Sequence, residues 1–237
     1  MTKVFSASIL VSILVAVLSS TNAFAKETKF DINDASGRDN VSFTSNAPIE
    51  VINGHTNKVT GTITIDDSLD LRKKLGAEFE VDLASIDTGI PLRNEHMRDN
   101  FLETKKFPKA TFKLKSITSG ATVLKDKQKV HLKAIGDFTV HGKTVQKEVP
   151  IDVTYFKLCP STEGKFKNCD LIQIRSTFSV PFKDHEIKRP EVVFQKLADT
   201  VFLSVNATAH KEVGALAPGK TTTKPTTAKP APKSSTK

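Results

Sequence analysis

From residue 59 the chain alternates, apolar on one side and polar on the other. Val59, Gly61, Ile63 and Ile65 share a face opposite Thr60, Thr62 and Thr64. Ala77, Phe79, Val81 and Leu83 oppose Glu78, Glu80 and Asp82 in the same way, and Val130, Leu132, Ala134 and Phe138 oppose His131, Lys133 and Asp137. Val145, Val149, Ile151, Val153 and Tyr155 continue the pattern, followed by Ile172, Ile174, Phe178 and Val180, and finally by Val201, Leu203 and Val205. A period of two with one polar face is the signature of antiparallel strands buried on one side only. The spacing predicts roughly eight such strands.

One stretch breaks the rhythm. After Ile86, Thr88 and Gly89 supply turn chemistry, and Pro91 suits a first helical position, where its missing N–H has no partner to lose. From Pro91 to Leu102 the spacing becomes helical: Met97 and Phe101 fall at i, i+4, with Arg93, His96 and Asn100 on a neighbouring polar stripe. Phe107, Pro108 and Phe112 then return the chain to extended structure, because a residue before proline avoids the α region.

A sheet of about eight strands with one short helix (about 91–102) has an apolar face and two edges to dispose of, and curling into a barrel settles both. The fold class expected is therefore all-β, an antiparallel, roughly eight-stranded barrel. An interior of that size is either packed solid or holds one small ligand. Small inward positions such as Gly61, Ala77, Ala134 and Gly136 stand among many of the fifteen Phe, with no Trp. Such a mixture fits a groove and a well-packed core equally well, and the pattern alone leaves the choice open.

The ends of the chain have a different composition. Met1 to Ala25 carries Lys3, an apolar run from Val4 to Leu18 and Ala23-Phe24-Ala25, the three regions of a cleaved secretory signal. That places the remainder, from Lys26, in the periplasm or outside the cell. Residues 211–237 are nearly all Lys, Thr, Pro, Ala and Ser, too poor in apolar side chains to fold, so a disordered tail is expected after a domain spanning 26–210. Six lysines against one glutamate give that tail +5 of the total charge of +9; Lys3 takes one more, and the domain keeps only +3. A nucleic-acid binder would concentrate its basic residues on the fold, so nucleic acid is not an expected partner. The tail itself could touch an anionic envelope surface or merely keep the chain soluble.

Cys159 and Cys169, in a loop with Pro160 and Gly164, read as a local disulfide in an oxidising compartment. Its closure is worth ~2–3 kcal/mol on a chain-entropy argument. No G-x-S-x-G elbow, no H-E-x-x-H spacing and no inward carboxylate pair is present, so no catalytic residue and no metal ligand is assigned.

Two strings together resemble one family. Ile86-Asp87-Thr88-Gly89, Arg93, His96, Phe101, Phe107-Pro108 and Phe112 form the first, and Gly136-Asp137-Phe138-Thr139-Val140-His141-Gly142 the second. Both are similar to motifs of the YceI-like polyisoprenoid-binding proteins of the bacterial periplasm, over roughly Phe30 to His210. The chain departs from them at Asn94, where Asp is commoner, and near Asp31, where a His-Ser is expected. The resemblance implies a lipocalin-like barrel that binds, stores or carries a polyisoprenoid, such as a polyprenyl quinone or its precursor, without turnover and without a required cofactor. The apolar slot is then expected from Ile63, Phe79, Val81, Met97, Phe101, Phe112, Leu132, Phe138, Val153 and Phe178. Arg93 and His96 either meet the ligand head group or brace the loop, Arg93 by pairing with Asp87 or Glu95. The alternative to a carrier is a packed barrel that works at the envelope through its basic tail. A homodimer is left open, and no unpaired apolar patch is legible in the sequence.

Overall fold

The computed structural model describes residues 26–211 apart from 35, 158–169 and 190–194. The signal expected at 1–25, the disulfide expected between Cys159 and Cys169 and the tail expected beyond Lys211 lie outside the described residues.

Among the described residues ten strands follow in chain order: β1 (Glu27–Ile32), β2 (Asn40–Asn46), β3 (Val51–Thr56), β4 (Val59–Asp66), β5 (Leu75–Asp82), β6 (Lys109–Ser119), β7 (Lys129–Val140), β8 (Lys143–Phe156), β9 (Leu171–Pro181) and β10 (Thr200–Lys211). Every pairing between them is antiparallel, and from β4 to β10 each strand pairs with the next in sequence. β10 lies along β2 from Val201 to Asn206 and then along β1 at His210 and Lys211, while β3 pairs with β2 and β4 with β1. The β1–β2 and β3–β4 pairs are thus two long strands, each broken once, at residues 33–39 and at Asn57-Lys58. Counted around the girdle, the molecule is a closed eight-stranded up-and-down barrel, the architecture that the alternation predicts. Closure through β10 leaves little open edge among the described residues, mainly the outer side of β3, which makes only the His55–Asp87 bridge.

Local chemistry fixes the register. β7 and β8 are joined by His141-Gly142 alone, with φ of 54° and 71°, the left-handed pair that a two-residue hairpin needs. Gly136 on β7 lets the Phe112 ring of β6 lie flat across it: a Cβ there would sit 2.3 Å from the ring and 2.7 Å from the Lys113 carbonyl. β6 also carries two register shifts, between Leu114 and Ser116 and between Ile117 and Ser119, which bend it around the barrel.

Between β5 and β6 the chain forms a short 3-10 turn (Leu83–Ser85), then α1 (Pro91–His96). The helix does not continue to Leu102 in α geometry. Met97–Phe101 is a single π turn, closed by the Leu102 N–H on the Met97 carbonyl at 2.9 Å. The wider turn stacks residues four apart more nearly in line, which keeps Met97 and Phe101 on one face toward the barrel.

The interior divides along its length. At one end Phe30, Ile32, Ile65, Leu71, Leu124, Tyr155 and Ile172 pack with Ala207 and Ala209 into a solid plug. At the other, a thinner shell of Leu83, Ala110, Phe138, Val140, Val180 and Val201 is backed by partly buried phenylalanines. α1 and its π turn sit over this second end.

Candidate functional site: an apolar cavity open at one end

The second end is hollow. A cavity of about 530 Å³ lies between the plug and the helix, its wall almost wholly apolar. That volume falls within the range of small-molecule sites, about 300–1,000 Å³. Phe43 and Ile52 contribute from β2 and β3, Phe79 and Val81 from β5, Ala110 and Phe112 from β6, Phe138 and Val140 from β7, Phe178 and Val180 from β9, and Val201 and Leu203 from β10. Inward-pointing positions of successive strands make the wall because side chains alternate across a pleat. Phe138 and Phe178 meet edge to face, with ring centroids 5.6 Å apart, a geometry that holds both rings against the wall.

The cavity reaches solvent beside α1. Ile90 and Leu92 line it and are nearly half and more than half exposed, and Arg93, His96, Met97 and Lys196 stand with them at the rim. A single hydrogen-bonded network fixes this mouth. Asp87 pairs with His55 of β3 through both backbone groups, each at 2.9 Å, and its carboxylate accepts from the Gly89 N–H at 2.8 Å and from Asn94 Nδ2 at 2.7 Å. Those two donors hold the Asp87 carboxyl below the usual carboxylate range. Asn94, buried, turns its Oδ1 to the backbone N–H and hydroxyl of Thr88, at 2.8 and 2.7 Å.

Arg93 completes the network. Its Nε donates to Thr88 Oγ1 at 2.9 Å, one Nη to the Thr88 carbonyl at 2.8 Å and the other to Glu50 of the β2–β3 hairpin at 2.8 Å. Three of its five donors are therefore engaged within the loop and the hairpin. The partner is Glu50, 43 residues away, rather than Asp87 or Glu95. His96 makes no hydrogen bond among the described residues and exposes its ring at the mouth.

Across the same end, His141 and His185 brace the wall from behind. His185 is buried with its ring edge to face on Phe138, centroids 5.3 Å apart, and donates from Nδ1 to the Lys143 carbonyl at 3.0 Å. Burial pushes its pKa down from 6.5. His141 donates from Nδ1 to the His185 carbonyl at 3.1 Å and receives Phe107 edge to face at 5.0 Å. Among the described residues, no cluster of three His, Cys, Asp or Glu is placed to hold a metal ion.

These residues account for both sequence strings: Asp87 to Asn94 build the mouth, Gly136, Phe138 and Val140 build the wall, and His141-Gly142 takes Phe107 on its turn. A model of the YceI-like domain matches residues 29–209. The chain belongs to the YceI-like domain family. Among the solved structures that share its fold is BcnA of Burkholderia cenocepacia, at 17% identity and a TM-score of 0.56, over 75% of this chain and 98% of that one. Another is a polyisoprenoid binding domain of Saccharophagus degradans implicated in plant cell wall breakdown, at 15% identity and a TM-score of 0.58, over 77% and 98%. No curated protein sequence matches the chain.

Within this YceI-like domain the ten residues expected in the slot divide. Phe79, Val81, Met97, Phe101, Phe112, Phe138 and Phe178 line the cavity. Ile63, Leu132 and Val153 also point inward, yet they belong to the plug and do not reach the cavity. Arg93 and His96 both stand at the mouth. Phe43, Ile52 and Lys196 line it as well, outside the alternating pattern, and so do Val180 and Leu203, which the alternation places on the inward face but not in the slot. For Phe43 and Ile52 the signal is there: Phe43 and Ser45 point inward with Ile52, Gly54 and Thr56 across the β2–β3 pair, an alternation too short to stand out beside the longer strands.

Proposed function

We propose that this domain binds, stores or carries a polyisoprenoid, such as a polyprenyl quinone or its precursor, without chemical turnover. The observation that carries this reading is the cavity of about 530 Å³, lined by side chains that offer a ligand almost no hydrogen bond. A branched hydrocarbon asks for such a surface. At about 0.8 kcal/mol per buried CH₂, a few isoprene units offset the cost of association. Met97, an unbranched thioether at the lid, adapts to chains of different shape. The family, and the Saccharophagus degradans relative described as a polyisoprenoid binding domain, support the same ligand class.

The head group then rests at the mouth. His96 and Lys196 are the polar groups there that the surrounding network leaves available, whereas Arg93 serves mainly to hold Thr88 and Glu50 in place. The hollow gives no support to the alternative of a packed barrel acting only through its tail. Residues 1–25 support work in the periplasm or outside the cell.

Organic extraction of the protein purified from its producing cells tests the reading. A prenylated compound in the extract, in near-stoichiometric amount, is the expected result; an extract free of prenyl lipid from protein kept without detergent would overturn it.

A further inference from the structure

Among the described residues six large apolar side chains are well exposed: Ile49, Val51, Ile90, Leu92, Val123 and Phe202. They are not scattered. Ile90 and Leu92 form part of the mouth itself. Ile49 and Val51 flank Glu50, which lines the cavity and takes Arg93 at 2.8 Å, and the Ile49 N–H donates to the Gln195 carbonyl at 3.1 Å, next to Lys196. Phe202 lies on the outer face of β10 beside the cavity-lining Val201, and its cross-strand partner Thr44 is two pairs along the same face from Asn46 and Val51. Only Val123, near Asp70, sits at the plugged end. An apolar rim is therefore continuous with an apolar interior.

We propose that this rim seats the open end on the boundary between headgroups and hydrocarbon of an anionic lipid bilayer. Contiguous exposed apolar surface of this kind marks an interaction site. The Arg93–Glu50 pair set within the rim neutralises itself and so puts no net charge into the contact. Lys196 at the lip adds a cation suited to anionic headgroups, against the exposed Glu95 on the outward side of α1. The inference rests on the prenyl-binding reading: a chain that is stored in a bilayer crosses from lipid to cavity without entering water when the two apolar surfaces touch.

The test uses the full mature chain and its double variant Ile49→Asp with Val51→Asp, both positions exposed and neither lining the cavity. Two readouts are taken in parallel: co-sedimentation with vesicles of phosphatidylcholine and phosphatidylglycerol, and binding of a fluorescent farnesyl probe added from solvent. The rim predicts that the wild type pellets, that the double variant partitions about tenfold or more weakly, and that probe affinity is unchanged. Equal pelleting of the two proteins would overturn it, because the contact would then be carried elsewhere, for example by the lysine-rich end of the chain. A wild type that binds probe and ignores vesicles would overturn it as well, and so would a dimer that the double variant splits, since a second copy would then own the rim. Vesicle binding lost in the variant, with no probe bound by either protein, would leave the rim standing and remove the prenyl reading instead. Should the double variant fail to fold, Ile49→Asp alone, in the turn before β3, carries the same comparison.

Discussion

Asn94 shows how much one side chain can decide. It accepts from Thr88 twice and donates to Asp87, so the loop that forms the lip is tied to the helix that covers the cavity. With three hydrogen bonds lost at about 0.5–1.5 kcal/mol net each, Asn94→Ala is expected to destabilise the domain by about 2 kcal/mol, read from chemical denaturation. Gly136→Ala is expected to cost about 1–3 kcal/mol in the same assay, because the new methyl meets the Phe112 ring and a backbone carbonyl that cannot move aside. At this scale the sequence was only partly legible. Asn94 stood out as a departure from related sequences, but an amide that satisfies three groups at once is visible only when the loop is folded over it. Arg93 was marked as polar and near the mouth; its partner Glu50 lies on a hairpin that no local spacing connects to it.

Among the elements, the turn Phe182–His185 carries a chemistry that depends on pH. His185 is held neutral by burial, with Lys143 through its carbonyl, Asp184, Lys147 and His141 as its polar surroundings. An unfolded histidine takes a proton near 6.5, while the folded one resists until a lower pH. The unfolded state therefore binds more protons in that window, and stability, fully present above pH 6.5, is lost as pH falls through the lowered folded value. The melting temperature should drop on acidification below that point, and His185→Gln should flatten the drop. An unchanged slope in the variant would show that other groups carry it. The elements themselves were well marked in the sequence: the long strands by their alternation, and α1 by Pro91 and the i, i+4 pair of Met97 and Phe101. The π turn was not, since spacing separates helix from strand but does not tell how a helix closes its last turn. The broken β1–β2 strand was also hidden, because pairing with β10 across more than 150 residues, as Ser45 does with Val201, leaves no local trace.

For the whole molecule, alternation reports which face a side chain takes and not how high it stands in the barrel. Ile63, Leu132 and Val153 share the inward face with Phe79, Phe112 and Phe178, yet three fill the plug and three line the hollow. The division between packed and empty ends is set by which strands overlap at each level, so it emerges only on closure. A packed plug gives the barrel its stability, and the hollow end is free to hold cargo. Ala110 stands where this can be tested without touching the plug: it lines the cavity from β6, and a phenyl ring there would project into empty volume. Since the space is already vacant, Ala110→Phe is expected to change stability by less than about 1.5 kcal/mol while displacing the cargo. The most direct measurement is native mass spectrometry of the two proteins purified side by side. A hydrocarbon-rich adduct on the wild type, released by solvent and missing from Ala110→Phe, is the predicted result. A wild type at its bare polypeptide mass, or an adduct equally present on the filled variant, would contradict the account.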